Sequence, residues 1–283
     1  MTLDILLKDI PVCTDYAPYT VRRLVPGVWL IEDDTPSKCC AYLVEGTESA
    51  VLIDTADECG GDIFALADQL TSLPWKLIVT HGHPDHAAFL DRIDAFWMSP
   101  DDISLLSTFN PENEKHVSKC HPIGAETKFD LGGGVVLYTV PLVGHSPGSV
   151  LFIDPFHNFI YSGDAVGSGE GVWMQTPMGY TMTQYREAIL GALEAIDHYF
   201  PDGETYTVLP GHAYQLYIGV PGYEPNPPCR ALFEDMAVLC SKAIDGTAQE
   251  VPTKPDDRGF TEEPVVRINY GRASMVCLRS RFC

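Results

Sequence analysis

Apolar and polar residues alternate through much of the first half of the chain, a pattern typical of half-buried strands. Residues 19–32 alternate around Pro26-Gly27, a dipeptide that favours a turn. Short apolar runs at 41–44 and 50–53 flank Glu45-Gly46-Thr47-Glu48 and therefore predict a hairpin. Further strands are predicted at residues 77–80, 96–98, 135–140, 150–153, 159–162, 205–209 and 274–278.

Helices are predicted where apolar residues recur every three or four positions, at residues 62–70, 182–200 and 230–243. Another helix is expected after Ser99-Pro100-Asp101, and one is expected to start near Pro84, because proline is tolerated in a first turn. The Pro- and charge-rich segment 251–263 predicts a loop. Because no linker divides the chain, we expect residues 1–283 to form a single domain of layered α/β type with mixed sheets.

The charge balance narrows the range of partners. The 283 residues include 39 acids against 18 Lys and Arg, a formal net charge of −21, which repels phosphate backbones and anionic membranes. Apolar runs stay well short of a membrane span, and residues 1–4 lack the basic start of a signal peptide, so the expected location is the cytoplasm. The nine cysteines form no Cys-x-x-Cys pair and are expected to be free, mostly buried thiols.

One six-residue segment carries the chemistry that is easiest to recognise. His81, His83, Asp85 and His86 follow a predicted buried strand, and imidazole nitrogens and carboxylate oxygens are metal ligands. His81 and His83 lie two residues apart on extended chain, so their side chains point to one side. Asp85 and His86 follow Pro84, where the chain turns, and can face a second position. One loop can thus serve two neighbouring metals.

Three later residues fit the same scheme, and each follows a predicted strand. They are His145 in Gly-His-Ser-Pro-Gly-Ser, Asp164 in Tyr-Ser-Gly-Asp, and His212 in Leu-Pro-Gly-His. Taken alone, each is more typical of a turn than of a metal site. Together they add three ligands on strand-end loops, where sites on a rigid scaffold are usually found.

The order His-x-His-x-Asp-His, then His, Asp and His, resembles the signature of the metallo-β-lactamase superfamily, over residues from about 19 to 212. The resemblance implies a four-layer αβ/βα sandwich and two divalent metal ions, with Zn2+ first and Mn2+ or Fe2+ as alternatives. It also implies a ligand set: His81, His83 and His145 for one metal, Asp85, His86 and His212 for the other, and Asp164 between them. Asp54 matches a supporting position of the family and is equally compatible with a simple strand-end turn.

In this superfamily a hydroxide shared by the two metals attacks the substrate. We therefore expect hydrolysis of a carboxylic ester, lactone or thioester of a small organic molecule. A phosphodiesterase or an iron-dependent dioxygenase is an alternative. Three other activities of the superfamily are less favoured. True β-lactamases of this type generally lack a counterpart of Asp164, and the RNA-processing members need basic surfaces, which a net charge of −21 does not provide. Glyoxalase II proper holds glutathione with basic residues, which are sparse at 213–263.

Substrate recognition is assigned to fewer residues. Asp85 is expected to act in catalysis besides binding metal, and Tyr180 or Tyr214 could hydrogen-bond the substrate oxygen. Segment 166–182, which contains Trp173 and several methionines, is expected to form a substrate wall or else ordinary core. A homodimer is expected on base rates alone.

Overall fold

Three sheets organise the computed structural model, which describes residues 10–12, 16–57, 59–167, 171–201, 206–216, 230–251, 253 and 261–283. In the first sheet, neighbouring strands follow chain order, antiparallel as far as β4 and parallel from β4 to β7. Parallel neighbours need a crossover, and helices α1 (Ile63–Leu70) and α2 (Ile103–Phe109) lie in two of these connections. The strands are β1 (Thr20–Val25), β2 (Val28–Glu32), β3 (Cys40–Glu45), β4 (Ala50–Ile53), β5 (Trp75–Ile78), β6 (Phe96–Met98) and β7 (Cys120–Pro122).

The second sheet has the strand order β13-β11-β10-β9-β8. Its strands pair antiparallel except for β11 and β13, which run parallel and are separated in sequence by helix α3 (Met182–Tyr199). The strands are β8 (Lys128–Asp130), β9 (Val136–Pro141), β10 (Val150–Asp154), β11 (Phe159–Gly163) and β13 (Thr207–Pro210).

A third, smaller sheet with the order β12-β16-β15-β14 was not predicted as a unit. Of its longer strands the sequence pattern indicated only β16, because β15 lies next to the charge-rich segment. Helix α4 (Ala213–Leu216) follows β13, and helix α5 (Arg230–Ile244) packs on β15 and β16. The strands are β12 (Val172–Trp173), β14 (Glu250–Val251), β15 (Val265–Tyr270) and β16 (Ala273–Leu278).

The core is divided into layers that confirm the predicted sandwich. One apolar cluster joins the facing sides of the two large sheets, for example Val51 of β4 and Phe152 of β10. A second cluster places Ile63 and other residues of α1 on the outer face of the first sheet. A third joins the outer face of the second sheet to α3, α5 and the third sheet. The resulting order, helix, sheet, sheet, helices, is the expected four-layer αβ/βα arrangement.

The helix expected near Pro84 is absent, and this prediction was wrong. His86 and Ala87 both donate their N–H groups to the carbonyl oxygen of His83, which closes a single turn. The Ala88 N–H then bonds to the hydroxyl of Thr55 instead of continuing a helix. Backbone groups of this segment are thus satisfied by distant residues, which leaves its side chains free to face in two directions.

Two other expectations lie partly beyond what the structure describes. Most of the predicted loop at 251–263 falls on residues outside the described ranges. The single-domain assignment for residues 1–283 stays a prediction. No helix within the described part of the chain is both long enough and apolar enough to cross a membrane.

Candidate metal centre

Strand ends bring all seven predicted ligands together. The segment 81–86 follows β5, His145 follows β9, Asp164 follows β11 and His212 follows β13. Because β11 and β13 are parallel, their carboxyl ends lie at one edge of the second sheet, where the first sheet contributes the end of β5. The five histidines are buried and Asp164 is nine-tenths buried, whereas Asp85 is partly exposed.

Three ring nitrogens converge in the first group. His83 Nδ1 lies 3.0 Å from His81 Nε2 and 2.8 Å from His145 Nε2. The His145 Nδ1–H donates to the Trp173 carbonyl oxygen at 2.8 Å, which directs its Nε2 lone pair toward the other two rings. Burial lowers the pKa of all three imidazoles, that of His83 to about 3. The rings are therefore neutral, the form in which imidazole binds a metal.

Carboxylates and imidazoles alternate in the second group. His212 Nε2 lies 3.1 Å from Asp164 Oδ2 and 3.6 Å from Asp85 Oδ2. His86 Nε2 lies 3.6 Å from Asp164 Oδ1 and 3.9 Å from Asp85 Oδ1. Asp164 Oδ2 is also 3.7 Å from His145 Nε2, so this carboxylate faces both groups.

Charge complementarity decides the protonation of the second group. Burial alone would lower the pKa of His86, but Asp85 and Asp164 outweigh it and raise that pKa to about 10. The pKa of His212 is raised in the same way, mainly by Asp164. Conversely, burial opposes ionisation of Asp164, but His212 and His86 hold its pKa well below the usual range. These carboxylates favour positive charge beside them, and a divalent cation would supply it in place of the protons on His86 and His212.

Two buried atoms test whether a metal fits this group. His86 Nε2 and Asp164 Oδ1 have no hydrogen-bond partner among the described residues, and leaving a buried polar atom unpaired costs about 1–3 kcal/mol. A divalent cation would bind both atoms, and a set of imidazole nitrogens and carboxylate oxygens suits zinc, manganese or iron. The absence of a side chain at Gly211 keeps the space beside these two atoms open. A Cβ at this position would lie 2.5 Å from Asp164 Oδ1 and 2.6 Å from His86 Cε1.

Asp54 supports the ligand segment through hydrogen bonds on the side away from the cavity. Its carboxylate accepts the Thr80 N–H at 2.7 Å, the Thr80 hydroxyl at 2.8 Å and the His86 Nδ1–H at 2.9 Å. The last bond fixes the tautomer of His86, so that its Nε2 faces the site. Of the two interpretations of Asp54 open from the sequence, these contacts favour the supporting role.

Asp102 performs a similar role that the sequence did not reveal. Its buried carboxylate accepts the Gly82 N–H at 2.8 Å, the Ser146 hydroxyl at 2.6 Å and the Gly148 N–H at 2.5 Å. It therefore ties the loop of His81 and His83 to the loop of His145. The partners are 20, 44 and 46 residues away, so no local pattern could identify them.

Cys39 is a second residue that sequence reasoning missed. Its sulfur lies 3.6 Å from Asp85 Oδ2 and 3.5 Å from His212 Nδ1, and the residue is fully buried. Burial, followed by the charge of Asp85, raises the pKa of the thiol. The composition indicated buried cysteines but could not place one beside the predicted ligands.

A cavity of about 230 Å³ opens over the cluster. Of the tyrosines predicted to contact substrate, Tyr214 lines it and stacks on His212 with ring centroids 4.8 Å apart. Tyr180 is not among the lining residues, and its backbone N–H donates to the Gly144 carbonyl oxygen. The lining residues are Ser37, Asp57, His83, Pro84, Asp85, Phe109, His145, Asp164, Trp173, Thr176, His212 and Tyr214.

Only part of the segment 166–182, which was expected to form a substrate wall, lines the cavity. Trp173 and Thr176 line the cavity, whereas Met174 and Met182, the first residue of α3, are buried in the core. Residues 168–170 lie outside the described ranges. The third sheet positions Trp173, since β12 pairs with β16, and the Arg281 guanidinium donates to the carbonyl oxygens of residues 174 and 176.

Replacement of Asp102 tests its role as a clamp between the two loops. Asp102→Ala would leave three donors without their acceptor, and we expect a loss of roughly 3 kcal/mol or more in the free energy of unfolding. Asp102→Asn, which still offers one carbonyl oxygen, should lose less. Denaturant unfolding together with metal analysis measures both effects. Equal stability and full metal content in the alanine variant would contradict the assignment.

Solved structures with the same architecture match most of the chain. A metallo-β-lactamase from Pontibacter korlensis shares 19% identity, with 78% of this chain and 98% of that one covered and a TM-score of 0.55. The mono-zinc form of the metallo-β-lactamase FIM-1 from Pseudomonas aeruginosa shares 18% identity, with 80% and 96% covered and a TM-score of 0.58. TTHA1623 in a di-iron-bound form shares 24% identity, with 71% and 95% covered and a TM-score of 0.51. At these identities the likeness shows the fold alone.

A comparison with family models decides the family. A search of curated proteins found no match. The model of the metallo-β-lactamase superfamily matches residues 34–212, which is more than half of the chain and spans every predicted ligand. The fold, its layers and this match agree, and the chain belongs to the metallo-β-lactamase superfamily.

Proposed function

We propose that this protein is a two-metal hydrolase that cleaves a carboxylic ester, lactone or thioester of a small organic molecule. The observation that carries the proposal is the cluster of His81, His83, Asp85, His86, His145, Asp164 and His212 at the base of the cavity. Asp164 faces both groups of nitrogens, so one carboxylate can hold two ions side by side. Zinc is the first candidate, with manganese and iron as alternatives.

The cavity supports an uncharged substrate. Phe109, Trp173 and Tyr214 offer aromatic surface to an apolar group, a usual composition for a small-molecule pocket. No lysine or arginine is among the described residues that line it, and Asp57, an acid outside the proposed ligand set, lies at its wall. Two bound divalent ions would offset the charge of Asp85 and Asp164. The preference for neutral carbonyl compounds over a phosphodiester or a thioester of an anionic carrier therefore rests on Asp57 and on the lack of a lining cation among the described residues.

The residues of the site would bind the metals, orient the substrate and exclude water. When bound, two divalent ions lower the pKa of a water molecule toward neutrality and polarise the substrate carbonyl. The three neutral imidazoles of the first group would hold one ion, and Asp85, His86 and His212 the other. Asp85 and Tyr214 face the cavity and are our candidates for orienting the substrate. Phe109 packs edge-on against the His83 ring at 5.2 Å, which shields that ligand from water.

Metal content and graded substitutions test the two-metal centre. We expect about two divalent ions per chain and loss of hydrolysis after chelation. Asp54→Asn should lower kcat/KM by about 10–100-fold, because it weakens the hydrogen bond that orients the His86 ring. Asp164→Ala, which removes a proposed ligand, should lower kcat/KM further. Plasma mass spectrometry and steady-state kinetics measure both.

Asp154→Asn is the matched control for these variants. Asp154 is a buried carboxylate bonded to His157 Nδ1 at 2.6 Å, outside the cluster. Its replacement should change stability but leave metal content and kcat/KM of the folded enzyme unaltered. Native protein without stoichiometric metal, or an Asp164→Ala variant as active as the control, would contradict the proposal.

Asp57 and the lack of a lining lysine or arginine among the described residues predict a substrate preference. A neutral lactone or thioester should have a kcat/KM at least about tenfold above that of the same compound carrying a carboxylate, and added salt should narrow the gap. Bis-p-nitrophenyl phosphate should be a poor substrate for the same reason. A preference for the carboxylated compound or for the phosphodiester in parallel assays would overturn the assigned substrate class.

A further inference from the structure

We propose that the thiol of Cys39 is a ligand of the second metal position, together with Asp85 and His212. The sulfur of Cys39, a carboxylate oxygen of Asp85 and a ring nitrogen of His212 all lie within 4.8 Å of one another. The inference rests on the two-metal centre proposed above, but not on which bond the enzyme cleaves.

The backbone fixes Cys39 beside His212. The two residues form an isolated antiparallel bridge, in which the Cys40 N–H donates to the Gly211 carbonyl oxygen at 2.7 Å and the Ala213 N–H donates to that of Lys38 at 2.8 Å. The segment directly before β3, which carries Cys39, is therefore joined to the loop that carries His212. The sulfur cannot leave the site without breaking this bridge or rotating its side chain.

Successive residues of a strand point to opposite faces, and this separates the two adjacent cysteines. Cys40 is buried in the core between the large sheets. Cys39 belongs to the opposite cluster, and its sulfur contacts Asp85 and His212. Both thiols are equally buried, so only the direction of the side chain distinguishes them.

The spacing of two pairs of donor atoms, sulfur with carboxylate and carboxylate with imidazole, suits coordination. Zinc–sulfur and zinc–oxygen bonds of the usual lengths, at a tetrahedral angle, place sulfur and oxygen about 3.6 Å apart. The distance between Cys39 Sγ and Asp85 Oδ2 is 3.6 Å, and that between Asp85 Oδ2 and His212 Nε2 is also 3.6 Å. The His212 Nδ1–H donates to the Ser37 carbonyl oxygen at 2.8 Å, which leaves Nε2 as the coordinating atom.

An unpaired group points into the same place. His86 is fully buried, and its Nε2, without a hydrogen-bond partner among the described residues, lies 3.9 Å from Asp85 Oδ1. An ion there would meet one sulfur, two nitrogens and carboxylate oxygen. Thiolate is a soft ligand, so the second position should prefer cadmium or zinc over manganese more strongly than an all-nitrogen and oxygen site would.

Cobalt substitution tests the inference without an activity assay. Co2+ bound to thiolate has an intense near-ultraviolet charge-transfer band, which nitrogen and oxygen ligands do not give. We expect the band in wild-type protein loaded with two Co2+, its loss in Cys39→Ser, and its retention in Cys40→Ser, the matched control. The preference for Cd2+ over Mn2+ should fall at least about tenfold in Cys39→Ser alone, in line with the loss of one soft ligand.

X-ray absorption of zinc-loaded wild-type protein covers the case in which a variant does not fold. A sulfur shell at about 2.3 Å from zinc is expected. A cobalt-loaded wild type without the band, a band that persists in Cys39→Ser, or zinc without a sulfur shell would overturn the inference and reduce Cys39 to a hydrogen-bond donor for Asp85. None of these results would affect hydrolysis of a lactone or thioester, so failure of this inference is distinguishable from failure of the proposed function.

Discussion

The structure depends on holding two ionised carboxylates, Asp164 buried and Asp85 partly exposed, among buried histidines at the point where the two large sheets meet. Asp85 and Asp164 lie within 4 Å of His86 and His212, and each side of this arrangement alone would be costly to remove from water. The imidazoles offset the negative charge, yet His86 Nε2 and Asp164 Oδ1 still have no partner among the described residues. A divalent cation bound there would complete the balance, and the ligand loops surround the space that it would fill.

Support for this space comes from residues that never reach the substrate. Asp54 accepts hydrogen bonds from His86 and from Thr80, just after β5. Asp102 joins the loop of His81 and His83 to the loop of His145. Both carboxylates accept three bonds each, so the ligand loops are fixed by hydrogen bonds that span 20 to 46 residues of sequence. Such preorganisation matters because ligands held in place need not be reordered when the metal binds.

The sequence predicted those parts of the site that are local. His81, His83, Asp85 and His86 lie in one segment, and His145, Asp164 and His212 each follow a strand that alternation or an apolar run made visible. The sandwich followed from the resemblance that these residues carry. Most strands and helices of both large sheets were also predicted to within a few residues, because their apolar spacing is regular. The three-residue strands β7 and β8 were not predicted, since they are too short to show a period.

What the sequence could not predict is set by distance along the chain. Pro84 suggested a helix, but contacts of the segment with Thr55 and Asp102 satisfy its backbone instead. Cys39 lies 46 residues from Asp85 and 173 from His212, and an isolated backbone bridge between Cys39 and His212 brings it to the site. The third sheet, which holds Trp173, pairs residues about 100 positions apart. No periodicity records pairings of this kind.

The most direct test of the account is a crystal structure of natively purified protein with anomalous diffraction collected at the metal absorption edges. The account predicts two peaks, one among His81, His83 and His145 and the other among Asp85, His86 and His212, with Asp164 between them. A single peak, no peak, or density elsewhere in the cavity would contradict the two-metal centre.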